Sequence, residues 1–179
     1  MEETLILPAL APHRVDTPAQ RLERLYGECR HDVYAYLASL LGDRGQAEDM
    51  TALAFERAFR RRRLFNPRRG SERAWLFGIA RNAALDELRR RRRSTPLVGE
   101  LPDDRCESAE ETEGVLRRVT VRAAIACLTP RERELIALKF HAGLSNPDIA
   151  RVLGVSETNA GTLLHRTITK LRKACDEEA

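Results

Sequence analysis

Apolar residues recur every three or four positions along much of the chain, which is the spacing of one face of an α-helix. A first run extends from Leu22 to Leu41 and stops at a glycine-containing break over 42–45. A second helix is predicted over about 46–62 and a third over about 71–92, with a loop at 64–70 between them. Alternating runs typical of strands are few. The pattern therefore predicts an all-α protein.

The second of these helices should bury one face and expose another. Its predicted inner face comprises Ala47, Met50, Leu53, Ala54, Ala58 and Phe59. This arrangement leaves Glu48, Asp49 and Glu56 available to a partner.

A strong helix start stands in the second half of the chain. Thr129, Pro130 and Glu132 supply the N-cap, the N1 proline and the closing residue of a capping box. The predicted helix continues to about His141, and Gly143 can take the left-handed conformation that ends it.

Two further helices are predicted close behind. Asn146 is expected to cap a short helix that Pro147 opens and Gly154 ends. Ser156 should cap the next, whose apolar face is Ala160, Leu163, Leu164, Thr167, Ile168 and Leu171. Two short helices joined by a tight glycine turn form a helix-turn-helix, so residues 128–173 are predicted to bind DNA.

The outward face of the last helix carries polar and basic side chains. In a major-groove docking, the N-terminal part of such a helix reaches base edges and its basic end meets phosphates. Candidates for base edges are Asn159, Thr162 and Arg166, those for the backbone are Arg172 and Lys173, and His165 and Lys170 share the face. A merely solvated helix face has a similar composition.

Charge is distributed unevenly along the chain. Residues 1–93 hold 19 Lys and Arg against 13 Asp and Glu, residues 94–114 hold 1 against 7, and residues 115–179 hold 11 against 7. The acidic stretch should be an extended, mobile connector that keeps two small domains, 21–93 and 115–175, apart. Residues 1–20 contain three prolines and no helical period, which indicates a flexible tail.

Several functional classes are not indicated. The four cysteines form no CxxC pair, and Cys29 with His31 has no second pair, so we expect neither a disulfide framework, a metal site nor a cofactor. No apolar run reaches the roughly 20 residues that a membrane span needs, and the N-terminus lacks the basic region followed by an apolar stretch that is typical of a secretory signal. The predicted location is the cytoplasm.

Two arginine runs, 60–63 and 89–93, border the predicted loop and the third helix. Such runs favour a nucleic-acid-binding face over plain solvated surface. Phe65 or Phe77 could stack on an exposed base, whereas Trp75 is expected in the core.

The motifs together resemble a known family. The segments GD at 42–43, AEDM at 47–50, AFERAF at 54–59 and AWLFGIARN at 74–82 resemble region 2 of bacterial RNA polymerase sigma factors. The segments LTPRE at 128–132 and IARVLGV at 149–155 resemble their region 4. With only these two domains, the chain is similar to the extracytoplasmic-function (ECF) group.

The resemblance implies a role for each domain, with no catalysis. Region 2 would bind the clamp coiled coil of the largest polymerase subunit and the unwound −10 strand. Region 4 would bind the −35 duplex and the flap of the second-largest subunit. The linker would thread toward the RNA exit path. An anti-sigma protein is the expected inhibitor. The polymerase-binding candidates are Glu48, Asp49, Met50, Leu53 and Glu56. The −10 candidates are Phe65, Asn66, Arg68, Arg69, Phe77, Arg81, Asn82, Asp86 and Arg89.

Two other classes remain open at this point. Residues 128–173 also resemble the module of LuxR-type regulators, which act without binding core polymerase. That class needs an upstream receiver or sensing domain with strands, and no such pattern is visible. A general helical RNA-binding protein would explain the arginines but not the ordered motifs.

Overall fold

The computed structural model describes residues 17–94 and 120–177 of the chain. Within them every regular element is helical, which confirms the predicted all-α class. The helices are α1 (Pro18–Leu41), α2 (Arg44–Arg61), α3 (Glu72–Ser94), α4 (described over 120–126), α5 (Pro130–Phe140), α6 (Asn146–Leu153) and α7 (Glu157–Glu177). Two 3₁₀ turns, Arg62–Leu64 and Pro67–Arg69, lie between α2 and α3.

Helix α1 begins inside the segment that we expected to be a flexible tail. Thr17 accepts a hydrogen bond from the backbone N–H of Gln20, whose side chain accepts one from the N–H of Thr17, and Pro18 occupies the first turn. This capping box satisfies two donors that the helix end would otherwise leave open. The tail prediction was therefore wrong for residues 17–20, and residues 1–16 lie outside the described part.

Helices α1, α2 and α3 pack together as the N-terminal bundle (17–94). The inner face of α2 is Ala47, Ala54, Phe55 and Ala58, which are all buried. Phe59, which the helical pattern predicts on the inner face, is 51% exposed. At about 100° per residue, the four buried residues lie within an arc of about 100°, and Phe59 lies about 40° beyond the edge of that arc marked by Phe55.

Residues 120–177 form the C-terminal module, in which α7 packs on both α5 and α6. The predicted capping box of Thr129 and Glu132 is present at the start of α5. Helix α6 is capped by Ser145, which accepts from the N–H of Asp148, and not by Asn146 as we expected. Asn146 is the first helical residue instead.

The two halves are in contact, although we expected a connector to hold them apart. Helix α1 packs against α5 and α3 against α6, and buried apolar residues of both halves form one continuous cluster. The connector prediction falls outside the described residues except at Ser94, which ends α3. This packing brings α6 beside the loop between α2 and α3.

Candidate nucleic-acid interface

A cavity of about 400 Å³ lies between the arginine loop, defined as residues 62–71, and helices α3 and α6. Four residues predicted from the sequence to bind the −10 strand line this cavity: Phe65, Asn66, Arg69 and Asn82. Other lining residues are Arg61, Trp75 and Gly78 of the N-terminal bundle and Arg151 and Val152 of α6. We call this space the loop cavity. Its walls combine aromatic rings, amides and guanidinium groups, which are the groups that hold single-stranded nucleic acid.

The aromatic wall of the loop cavity is held in place from two sides. The ring of Phe65 meets that of Trp75 edge to face, with centroids 5.7 Å apart. The guanidinium of Arg21 lies 5.3 Å from the Phe65 ring centroid. Phe65 remains partly exposed and lines the loop cavity.

Turn chemistry shapes the arginine loop. The side chain of Asn66 accepts a hydrogen bond from the backbone N–H of Arg68 at 2.9 Å and caps the second 3₁₀ turn. Gly70 follows with φ 140°, a conformation that other residues rarely adopt. The turn leaves Arg68 and Arg69 exposed to solvent.

Phe77 is not available to a base in this structure. Its side chain is fully buried, and its ring meets that of Tyr36 edge to face at 5.4 Å. The prediction that Phe77 stacks on DNA is therefore replaced by a core role. Helical periodicity allowed either role, and the position of α1 decides between them.

Arg81 also departs from the expected site. It does not line the loop cavity, but pairs with Glu134 of α5, with Nε and Oε1 2.6 Å apart. Asn82, the next residue, does line the cavity. Arg81 therefore faces α5 and Asn82 faces the loop cavity, because successive residues of a helix point about 100° apart.

The remaining α3 candidates form an exposed stripe that continues from the cavity. Asn82, Asp86 and Arg89 are spaced by four and three residues, so they share one face. Asp86 pairs with Arg57 of α2 at 3.3 Å and with Arg89 at 3.5 Å. The carboxylate thereby orients two guanidinium groups on this face.

The outer face of α7 is accessible along its length. All seven candidates are exposed: Asn159, Thr162, His165, Arg166, Lys170, Arg172 and Lys173. Ser156 caps the helix by accepting from the N–H of Asn159 at 3.2 Å, as predicted. The opposite face buries Ala160, Leu164 and Thr167.

An ion pair at the start of α5 fixes that helix to α7. Lys170 Nζ lies 3.0 Å from Glu132 Oε2. The backbone N–H of Thr129 and the Lys170 ammonium together lower the pKa of the Glu132 carboxyl. The capping carboxylate is thus stabilised in its charged form.

The polymerase-binding candidates lie on α2. Glu48, Asp49 and Glu56 are exposed, whereas Met50 and Leu53 are partly buried. Glu56 pairs with Arg60 one turn later, at 2.6 Å. The carboxylate of Glu56 is therefore engaged within α2, whereas those of Glu48 and Asp49 stand at the surface.

Comparison with known families assigns both halves. The family described as Sigma-70 region 2 matches residues 25–94, and the family described as Sigma-70, region 4 matches residues 118–171. Together they cover more than half of the chain. The chain belongs to the sigma-70 family.

Similar proteins place it in the ECF group of that family. It is 32% identical over 165 residues to the ECF RNA polymerase sigma factor BldN of Streptomyces coelicolor, covering 90% of this chain and 62% of BldN. It is 30% identical over 162 residues to the ECF sigma factor SigL of Mycobacterium tuberculosis, covering 89% of this chain and 91% of SigL.

The fold is similar to that of a solved structure, the sigma factor RpoE of Bartonella quintana, which was solved in complex with the anti-sigma factor NepR. The TM-score is 0.66 at 21% identity, over 88% of this chain and 98% of that one. The N-terminal bundle is accordingly called region 2 below, and the C-terminal module region 4.

Two site features of this sigma factor escaped prediction. Glu134 and Arg151, both of region 4, contact region 2 across the packed helices. In residues 17–94 and 120–177, no helix is long and apolar enough to span a bilayer, and no group of three His, Cys, Asp or Glu is placed to hold a metal.

Proposed function

We propose that this sigma factor binds core RNA polymerase and directs it to promoters, with region 4 on the −35 duplex and region 2 on the unwound −10 strand. The observation that carries the proposal is the pair of exposed basic surfaces, one on each domain. The loop cavity supports contact with unpaired bases, and the outer face of α7 supports contact with duplex DNA.

For the −35 element, α7 would enter the major groove with its N-terminal half. Asn159, Thr162 and Arg166 then face base edges, while Arg172 and Lys173 near its end meet phosphates. Each bidentate base contact discriminates by about 1–3 kcal/mol, whereas a phosphate contact contributes mainly salt-dependent affinity.

For the −10 element, Phe65 would stack on an unpaired base while Asn82 binds its edge and Arg69 a phosphate. Unpairing a base costs a few kcal/mol, which these contacts must offset. Arg68, Asp86 and Arg89 would extend the surface along the displaced strand. Asn66 would act indirectly, by holding the turn.

For the polymerase, Glu48, Asp49 and Glu56 of α2 would meet the clamp coiled coil, with Met50 and Leu53 at the edge of the contact. Region 4 would bind the flap of the second-largest subunit. Two weak DNA contacts joined on one polymerase gain effective concentration. The chain itself would catalyse no reaction and would act in the cytoplasm, where polymerase is present.

The first experiment reconstitutes holoenzyme from core polymerase and the full chain, selects promoters from a genomic library, and sequences the transcripts. On a selected promoter, Asn82→Ala and Arg69→Ala should reduce permanganate reactivity of the −10 strand. Arg30→Ala, which removes an exposed charge on α1 outside the loop cavity, is the matched control. Unchanged strand opening in both variants would refute the −10 assignment.

Binding to core polymerase separates this proposal from a LuxR-type regulator. The sigma factor should co-elute with core, and Asp49→Asn should weaken that complex, while Glu23→Gln, an exposed charge loss on α1, should not. Failure of the wild-type chain to bind core would favour the regulator, although the described residues contain no strands of a sensing domain.

A protein antagonist is part of the proposal, because RpoE of Bartonella quintana was solved with an anti-sigma factor. Such a partner would cover α2 and compete with core polymerase for the same carboxylates. Displacement of core from the sigma factor by the purified antagonist would test this.

A further inference from the structure

A second cavity, of about 550 Å³, lies between the two regions of this sigma factor. Helices α1 and α3 line it from region 2, and α5 and α6 line it from region 4. It shares no lining residue with the loop cavity. We call it the interdomain cavity. Its volume is within the range of about 300–1,000 Å³ that is typical of small-molecule sites.

Part of the wall of the interdomain cavity is aliphatic. Four leucines from three helices form it: Leu40, Leu85, Leu88 and Leu153. Each of them is only partly buried, so apolar surface is left for an occupant. None of the described lining residues is aromatic, in contrast to the loop cavity. The wall therefore suits a hydrocarbon chain better than a ring that needs a stacking partner.

The rest of the wall is strongly basic. Four arginines line the cavity: Arg81, Arg92, Arg131 and Arg133. Glu134, the one carboxylate among the described lining residues, already pairs with Arg81, with Oε1 and Nε 2.6 Å apart. Within residues 17–94 and 120–177, Arg92, Arg131 and Arg133 have no ion-pair partner. Three positive charges thus surround the cavity without neutralisation.

One of these guanidinium groups has an unsatisfied donor. The Nε atom of Arg133 is buried and donates to no acceptor of the described chain. A buried donor without a partner is costly, and the cost is greater for a charged group. The first turn of α5, where a helix carries partial positive charge, lines the same cavity through Pro130 and Arg131. An anion bound here would relieve both conditions.

We propose that the interdomain cavity binds a medium-chain fatty acid, with its carboxylate on Arg131 and Arg133 and its hydrocarbon chain on the four leucines. A guanidinium group matches the planar geometry of a carboxylate and can bind it through two parallel hydrogen bonds. Two turns of a protein helix, about 10 Å across and about 11 Å long, exceed the volume of the cavity. A single aliphatic chain fits that volume.

The first experiment titrates the full chain with decanoate by isothermal titration calorimetry, below the concentration at which decanoate forms micelles. One decanoate should bind per chain. Octanoate should bind about tenfold more weakly, because it buries two fewer methylene groups. Decyltrimethylammonium has the same hydrocarbon tail but the opposite charge, so its affinity should be lower than that of decanoate by at least about tenfold.

Variants of the lining residues locate the site. Arg133→Gln removes the charge and should weaken decanoate binding by at least about tenfold, whereas Arg133→Lys keeps the charge and should recover most of the affinity. Arg131→Gln, at an exposed position, should also weaken binding, and it keeps the test decisive if Arg133→Gln does not fold. Leu85→Gln makes the aliphatic wall polar and should reduce the difference between decanoate and octanoate.

Arg30→Gln is the matched control, because it removes the charge of an exposed arginine on α1 that does not line the cavity. This variant should bind decanoate as the wild-type chain does. Circular dichroism of each variant checks that the helices are retained. Decanoate should also raise the melting temperature of the wild-type chain, since a ligand that binds only the folded state stabilises it.

Equal affinities for decanoate and decyltrimethylammonium would overturn the proposal, as would wild-type affinity in both Arg133→Gln and Arg131→Gln. The acidic connector is the rival occupant. If the wild-type chain bound no decanoate but a chain with Glu100→Gln, Asp103→Asn and Asp104→Asn did, the connector would fill the cavity and the proposal would be wrong. These titrations contain neither polymerase nor DNA, so their outcome is independent of the promoter experiment.

Discussion

Replacing Phe77 by alanine should destabilise region 2, because the structure makes this residue part of the core. The side chain is 0% exposed and its ring meets that of Tyr36 at 5.4 Å. Truncating a fully buried phenylalanine costs about 3–5 kcal/mol, of which the ring pair accounts for about 0.5–1.5 kcal/mol. Domains have total stabilities of about 5–15 kcal/mol, so the loss is a large fraction.

The measurement is urea unfolding of the full chain, followed by far-ultraviolet circular dichroism. With a denaturant slope of about 2 kcal/mol/M, the midpoint of the region 2 transition should fall by about 2 M. Phe65→Ala is the matched control, since it removes the same ring from a partly exposed loop position. That variant should unfold close to wild type and lose strand opening instead.

The opposite pair of results would refute the core assignment. If Phe77→Ala lowered the free energy of unfolding by less than about 1 kcal/mol while abolishing strand opening, Phe77 would be a base-stacking residue.

Four further predictions concern region 4. Thr129→Ala should lower its free energy of unfolding by about 1 kcal/mol, measured by thermal melting, because the α5 cap is lost. The pKa of the Glu132 carboxyl is lower in the folded than in the unfolded chain, so this carboxylate stabilises the fold at pH values above its unfolded-state pKa. That stabilisation is lost as the pH falls through the folded-state pKa of Glu132. Glu132→Gln should therefore make the free energy of unfolding depend less steeply on pH at the acid end of the curve. Gly161→Ala should raise the melting temperature, since a helical alanine is favoured by about 1 kcal/mol and the added Cβ meets only Asn146 Nδ2, at 3.8 Å. Arg166→Ala should relax −35 specificity at one base pair with a loss of about 1–3 kcal/mol, measured by competition binding.

Local sequence signals predicted local structure well. The capping box at Thr129, the cap at Ser156 and the amphipathic face of α7 each depend on residues within a few positions, so they could be inferred directly. The same Thr-Pro pattern begins α1 at Thr17, where the capping box with Gln20 is a stronger local signal than the three prolines that suggested a tail.

Side-chain assignments failed where a distant element decides the outcome. Phe77 and Phe59 both lie on apolar-rich helices, and only the position of the neighbouring helices separates a buried ring from an exposed one. Arg81 and Glu134 are 53 residues apart in sequence, so no periodicity could pair them. Such contacts are set by tertiary packing, which a single sequence does not encode in a local pattern.

Because Trp75 contacts Phe65 edge to face, the intrinsic fluorescence of this tryptophan reports on the loop cavity. Trp75 is the single tryptophan of the chain, and it stands in the wall that an unpaired base would touch. A base that stacks on Phe65 would change the surroundings of this single indole, which contacts the Phe65 ring. Intrinsic tryptophan emission can therefore time the arrival of the strand in an unlabelled, wild-type protein.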